Sequence, residues 1–166
     1  MTTTDLDHSH LRIRKATKED TPLILEFIKA IADYEKLAHQ VTATEETLNE
    51  SLFQDPPAAE ISFAYVGDQA VGYAVYFHNF STFEGKRGLY LEDIFIKPEF
   101  RGKGIGKTLL KHLAQLALER RCARFEWVVL DWNENAIEFY RGIGAQVFDE
   151  WRVCRMDKHA IEQFCS

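Results

Sequence analysis

The segment Leu89-Tyr90-Leu91-Glu92-Asp93-Ile94-Phe95-Ile96, then Lys97, then Pro98-Glu99-Phe100-Arg101-Gly102-Lys103-Gly104-Ile105-Gly106-Lys107-Thr108, decides how this chain is to be read. Its first half is a strong strand, closed by Pro98. Its second half is a glycine-rich turn that opens a helix running to about Arg121, with Leu109, Leu110, Leu113, Leu116 and Ala117 as the buried stripe. Glycines between a strand and a helix let the backbone turn tightly and approach a ligand closely. The first amides of the helix point outward and favour an anion, and Arg101, Lys103 and Lys107 add positive charge beside them. The loop has the chemistry of a pyrophosphate cradle.

Other phosphate loops fit less well. A P-loop ending in Gly106-Lys107-Thr108 needs its first glycine where Arg101 stands, a miss by one residue. A dinucleotide fingerprint needs unevenly spaced glycines and an acidic residue about 20 positions on. Here Gly102, Gly104 and Gly106 are evenly spaced, and that region holds Arg124.

Outward from the loop, Leu11 and Ile13 alternate with Arg12 and Arg14 as a short first strand, and Thr17 with Asp20 resembles a capping box. Ile24, Phe27, Ile28 and Ile31 predict a helix over about Lys18 to Lys36. A second helix starts near Thr44, includes Leu48 and Leu52, and stops at Pro56-Pro57. Ile61, Phe63 and Tyr65 alternate before the turn Gly67-Asp68. Ala70 to Phe80 is the hairpin partner, and Ser81 to Gly88 is a second turn. After the glycine loop and its helix, Phe125 to Leu130 is a strand, Asn133 caps a helix from Glu134 to about Ile143, and Gly144 ends it. Trp151 to Met156 is expected as a last strand, followed by a helical tail. The fold class is α/β: a mixed, mostly antiparallel central sheet flanked by helices. Met1 to His10 reads as a polar leader, and 11–166 as a single domain.

Composition narrows the function. The 166 residues are 46% hydrophobic and 28% charged, with net charge -6. That is enough apolar material for a core and unlike the basic balance of a nucleic-acid binder. No apolar run approaches the length that spans a membrane. The three cysteines fit neither a CxxC pair nor a zinc ligand set, so no metal is expected, and reduced packing thiols suggest a cytoplasmic protein.

The run Arg101-Gly102-Lys103-Gly104-Ile105-Gly106 resembles the Q/R-x-x-G-x-G/A signature of the GNAT superfamily of acetyl-CoA-dependent N-acetyltransferases. Tyr90-Leu91-Glu92-Asp93, Trp132-Asn133-Glu134, Phe139-Tyr140, Gly144-Ala145 and Tyr34-Glu35 are similar to the spermidine/spermine (diamine) branch. Val129-Leu130-Asp131-Trp132-Asn133 and Gly144-Ala145-Gln146 are shared with thialysine-acetylating members. Two features depart from the polyamine enzymes: Glu126 stands where those have a His, and the stretch Asp149-Glu150-Trp151-Arg152 is shorter.

The resemblance implies the GNAT-like acyl-CoA N-acyltransferase fold, acetyl-CoA as co-substrate and a homodimer. It implies acetyl transfer to a primary amine of a small cationic substrate, either a polyamine or diamine or a lysine-like amine such as thialysine. A protein N-terminus, an amino-sugar antibiotic, or a coenzyme-binding sensor without turnover are the alternatives. It assigns the coenzyme to Ile94, Phe95 and Ile96, to Arg101, Gly102, Lys103, Gly104, Ile105, Gly106 and Lys107, and to Asn133 and Ala136. It assigns proton removal to Glu92 and proton donation to the leaving thiolate to Tyr140. The substrate-side residues are Tyr34, Glu35, Glu92, Glu126 and Trp127.

Chemistry gives these roles a reason. An amine with pKa near ~10.4 is an ammonium at neutral pH, and only its neutral form attacks a thioester. A carboxylate can take that proton and a phenol can supply one, while strand amides can stabilise the oxyanion of the attack. By strand alternation Asp93 should face away from Glu92, as a structural group or part of a cation-binding rim.

Overall fold

The computed structural model describes residues 10–166, so the leader apart from His10 lies outside the described residues. These residues form two compact units, one ending at Val128 and the other running Val129–Ser166.

The first unit is built on a five-stranded sheet in the order β1 (Leu11–Lys15), β2 (Glu60–Val66), β3 (Gln69–Ser81), β4 (Lys86–Ile96) and β5 (Phe125–Glu126). Each strand pairs with its neighbour in sequence. All pairings are antiparallel except β4 with β5, which is parallel. A parallel pair needs a crossover, and α3 (Ile105–Glu119) supplies it. The other helices of this unit are α1 (Thr21–Tyr34) and α2 (Glu45–Leu52).

Strand β2 is buried at five consecutive positions, Ile61 to Tyr65, which requires cover on both faces of the sheet. One face packs Phe63, Tyr73 and Phe95 with Ile24 and Phe27 of α1, and Leu48 and Leu52 of α2 lean on the same cluster. Phe27 lies 5.0 Å from the ring of Tyr73 and 5.7 Å from that of Phe63. Each such side chain contributes roughly 2–3 kcal/mol by leaving water. A second cluster joins Ala64 and Val71 to Ile105, the first residue of α3. Leu109, Leu110, Leu113 and Ala117 of the expected stripe are buried, and Leu116 is half-buried.

Helix boundaries follow local chemistry. The helical stretch expected from Lys18 divides into a 3₁₀ turn, Lys18–Asp20, and α1 proper, with Pro22 in the first turn, where its missing N–H costs nothing. The Asp20 carboxylate accepts from the Thr17 amide at 2.7 Å and is held by both terminal nitrogens of Arg14 at 2.7 and 2.8 Å. At the other end, Leu37 N donates to Ala32 O at 2.8 Å while Lys36 adopts a left-handed φ of 62°, so α1 stops at Tyr34. Thr44 caps α2 by accepting from Thr47 N at 3.2 Å. Glu60 ties the start of β2 to Lys15 at 2.6 Å and to Arg120 just past α3, and these cations hold its carboxyl down at about 2.

The second unit holds α4 (Glu134–Gly142) and α5 (Lys158–Cys165), capped by Asn133 and Asp157 respectively. The expected strand Trp151–Met156 is not formed, and all six residues are exposed. Alternation alone does not make a strand; a ladder partner must be present, and no strand among the described residues pairs there. β5 likewise ends at Glu126 rather than Leu130, because its ladder to β4 covers only Leu89↔Phe125 and Tyr90↔Glu126.

Candidate active site

The glycine loop leaves β4 through a 3₁₀ turn, Pro98–Phe100. Gly102 and Gly104 adopt φ of 73° and 78°, in the left-handed region that costs a side-chain-bearing residue energy. A Cβ at Gly102 would meet nothing within 4 Å, so backbone conformation rather than space calls for glycine there. Gly104 is also the N-cap of α3 and has no side chain to occupy the first amides of the helix. Those donors, the positive end of the helix and the neighbouring Lys103 and Lys107 suit a diphosphate. The Arg101 side chain is turned elsewhere: its Nε donates to Ile96 O at 2.9 Å and its guanidinium lies over the rings of Tyr34 and Phe95.

Next to the loop, β4 presents an open edge. Its ladder with β5 stops at Tyr90, and among the described residues no other strand pairs with Leu91–Ile96 on that side. An unpaired strand edge offers amides and carbonyls to an extended, amide-containing chain. The opposite side of the same segment is fixed by β3, through Ile94↔Ala74, Phe95↔Tyr73 and Ile96↔Gly72. At Gly72 a Cβ would stand 2.5 Å from Ile96 Cδ1 and 3.1 Å from Phe95 O, so a side chain there would push the end of Ile96 aside and crowd the β3–β4 contact.

The register then shifts. Val75 pairs with Asp93 and Tyr76 with Leu91, which leaves Glu92 as the extra residue of a β-bulge. Alternation does not carry across a bulge, so the expectation that Glu92 and Asp93 are separated by the sheet loses its basis. Both carboxylates act on the buried hydroxyl of Tyr73, and so does Glu35, just past the end of α1. Tyr73 Oη donates to Asp93 Oδ2 at 3.1 Å. Burial pushes the Asp93 carboxyl up to about 6; the bond from Tyr73 opposes the rise, and the charges of Glu92 and Glu35 add to it. Burial also raises Glu35, and the Tyr73 phenol is driven far above its usual range by burial first and then by Asp93. One carboxylate, Asp93, thus touches the buried phenol, and the charges of Glu92 and Glu35 reach it. Tyr73 was not singled out by the sequence, because it sits in an apolar strand where an aromatic is ordinary core material. Nor does any sequence pattern mark the bulge.

Glu126 is already partnered, accepting from Asn79 Nδ2 at 2.6 Å and pairing with Arg124 Nε at 3.1 Å. Trp127 packs its ring 5.0 Å from Phe125. In the second unit, Asn133 caps α4 by accepting from Ala136 N at 3.3 Å. One turn further along α4, Tyr140 is half-buried with its ring 5.6 Å from that of Phe139. Thus Tyr34, Glu35, Glu92, Ile94 to Ile96 and Arg101 to Lys107 belong to the first unit, and Asn133, Ala136 and Tyr140 to the second. Among the described residues, no group of three or more His, Cys, Asp or Glu could hold a metal ion.

An unpaired strand edge, an adjoining glycine loop at a helix N-terminus and a carboxylate-bearing bulge suit an acyl transferase. Residues 26–145 match the family described as acetyltransferase (GNAT) family, and the chain belongs to that family. It is 38% identical over 162 residues to a thialysine N-epsilon-acetyltransferase of Bos taurus, an alignment covering 91% of this chain and 95% of that protein. It is 34% identical to an L-ornithine N5-acetyltransferase of Arabidopsis thaliana, covering 91% and 86%. Among solved structures, an integron cassette protein from the mobile metagenome of V. cholerae superposes with a TM-score of 0.76 at 27% identity, over 94% of this chain and 98% of that one. The protein is an N-acetyltransferase that transfers acetyl to an amine, and its family uses acetyl-CoA as co-substrate.

Proposed function

We propose that the amine is a primary amine of a small cationic molecule, lysine-like or a diamine. The observation that carries this reading is the hydrogen bond from Tyr73 Oη to the half-buried Asp93 carboxylate, a pair that also feels the charges of Glu35 and Glu92. Neighbouring carboxylates favour a group that arrives positively charged, and one of them must then take a proton so that the nitrogen lone pair is free. Glu92, exposed on the bulge, is the proton acceptor. Glu35 and Asp93 hold the charge of the substrate, and Tyr34 adds an aromatic face. The names of the bovine and plant relatives, which act on thialysine and ornithine, support a substrate with a terminal amine on a short chain. Glu126, bound by Arg124 and Asn79, has part of its charge matched within the chain, so its role is to shape the substrate side with Trp127 more than to bind the ammonium.

In this reading the amides and lysines from Gly102 to Lys107 bind the coenzyme diphosphate, with Arg101 opening that loop. The edge of β4 at Ile94, Phe95 and Ile96 takes the pantetheine arm, and Asn133 and Ala136 complete the coenzyme contacts. Tyr140 supplies the proton for the departing thiolate. The reading includes a homodimer. Large exposed apolar side chains in the second unit, among them Trp151, Val153 and Phe164, support a surface that a second copy covers. Three free thiols, two of them exposed, support a reducing, cytoplasmic setting.

The test is release of free thiol from acetyl-CoA with a panel of thialysine, ornithine, lysine, putrescine and spermidine. Turnover with the lysine-like amines or the diamines is expected. Binding of coenzyme without thiol release for any amine would contradict the reading and leave a coenzyme-binding sensor.

A further inference from the structure

Arg101 begins the glycine loop, yet its side chain leaves that loop. Its Nε donates to Ile96 O at 2.9 Å. Its guanidinium carbon stands 4.6 Å from the ring centre of Tyr34 and 5.1 Å from that of Phe95. Those two rings meet edge to face at 6.4 Å. A guanidinium at such distances over an aromatic face is attracted by the ring quadrupole, and its planar shape suits stacking. Tyr34 is the last residue of α1 and nearly half its surface is open, so this packing is what fixes its ring. The next residue is Glu35, whose charge acts on Asp93 and Tyr73.

We propose that Arg101 is a positioning residue for the amine: its backbone belongs to the coenzyme loop, while its side chain clamps the end of α1 so that Tyr34 and Glu35 face the substrate. This rests on the amine reading above and extends it. The diphosphate is then served by backbone amides and by Lys103 and Lys107, and the Arg101 guanidinium is a mechanical link between two binding sites. Arg101 and Tyr34 lie 67 positions apart in sequence yet are joined through one side chain. Coenzyme that orders the loop also orders the amine side, so each ligand favours the other.

The test is the split between the two ligands. Arg101→Gln is expected to raise KM for the best amine about three- to fivefold, the size of an exposed cation–π contact, while the calorimetric Kd for coenzyme A changes less than about twofold. Tyr34→Leu should reproduce that pattern, and Tyr34→Phe, which keeps the ring, should recover most of the amine affinity that Tyr34→Leu loses. The double variant Arg101→Gln/Tyr34→Leu should raise KM by clearly less than the product of the two single effects, since the two substitutions share the Arg101–Tyr34 contact. A rise in the coenzyme Kd with Arg101→Gln, alone or together with the amine KM, would overturn the proposal, as would multiplying effects in the double variant. Wild-type protein that turns over no amine would defeat the substrate reading as well, whereas normal wild-type turnover with the loss on the coenzyme side defeats only the clamp.

Discussion

The two units of this chain are stabilised in different ways. The first carries every fully buried side chain among the described residues, from Ile24 and Phe27 through Tyr73 to Leu109 and Leu113. The second has none, and it holds ten of the fifteen large apolar side chains left exposed. The proposed roles are divided along the same line: Glu92 and the glycine loop belong to the packed first unit, while Tyr140 sits on α4, a helix of nine residues without a buried position. Helices that short owe their stability to packing rather than propensity. Glu92 thus inherits its place from a strand of the core, whereas Tyr140 is carried by a helix with no fully buried residue of its own.

The largest effect that would sharpen this contrast is on stability. Phe27→Ala should cost about 3–5 kcal/mol, since it empties a site ringed by Phe63, Tyr73 and Phe95. Phe164→Ala, exposed in the single chain, should stay within about 0.5 kcal/mol in denaturant titrations run dilute enough that the chain is monomeric. Equal losses would break the comparison. Next, Tyr140→Phe should lower kcat about 100-fold, roughly 2.7 kcal/mol of barrier, with little change in either KM, as steady-state kinetics would read. A near wild-type kcat would remove Tyr140 from the reaction.

Smaller effects concern charge within the first unit. Glu60 has its carboxyl held down at about 2 by Arg120 and Lys15. Its contribution is therefore complete above about pH 4.5 and is lost as pH falls toward 2. Glu60→Gln should cost about 2 kcal/mol at pH 7 and much less at pH 3, measured by unfolding at both values. Asp93 has the opposite sign. Its folded-state pKa is raised to about 6, so the folded protein prefers the neutral acid and loses stability as pH climbs from about 4 through 6. Asp93→Asn should match wild type at pH 4 and gain about 1 kcal/mol at pH 8. A pH-independent difference would contradict the burial of that carboxyl.

Much of the first unit was legible in the sequence because its signals are local. Alternation marked β1 and β2, a run rich in Val, Tyr and Phe marked β3, Pro98 closed the strong run of β4, the Ile24 and Phe27 spacing marked α1, and the glycines after Ile96 marked the loop. What escaped depends on pairing between distant residues. The bulge at Glu92 arises from the register of β3 against β4, and with it goes the grouping of Glu92, Asp93 and Glu35 around Tyr73. The turn of Arg101 toward Tyr34 is equally invisible, because nothing nearby in sequence shows where a guanidinium will lie. In the second unit, Trp151 to Met156 was expected as a strand, but no strand among the described residues pairs with it.

Amide hydrogen exchange with and without acetyl-CoA tests the central claim most directly. Binding should slow exchange in the segment Gly102 to Lys107 and along Ile94 to Ile96, while α2 stays unchanged. Measurable coenzyme binding with no added protection in those two segments would contradict the account.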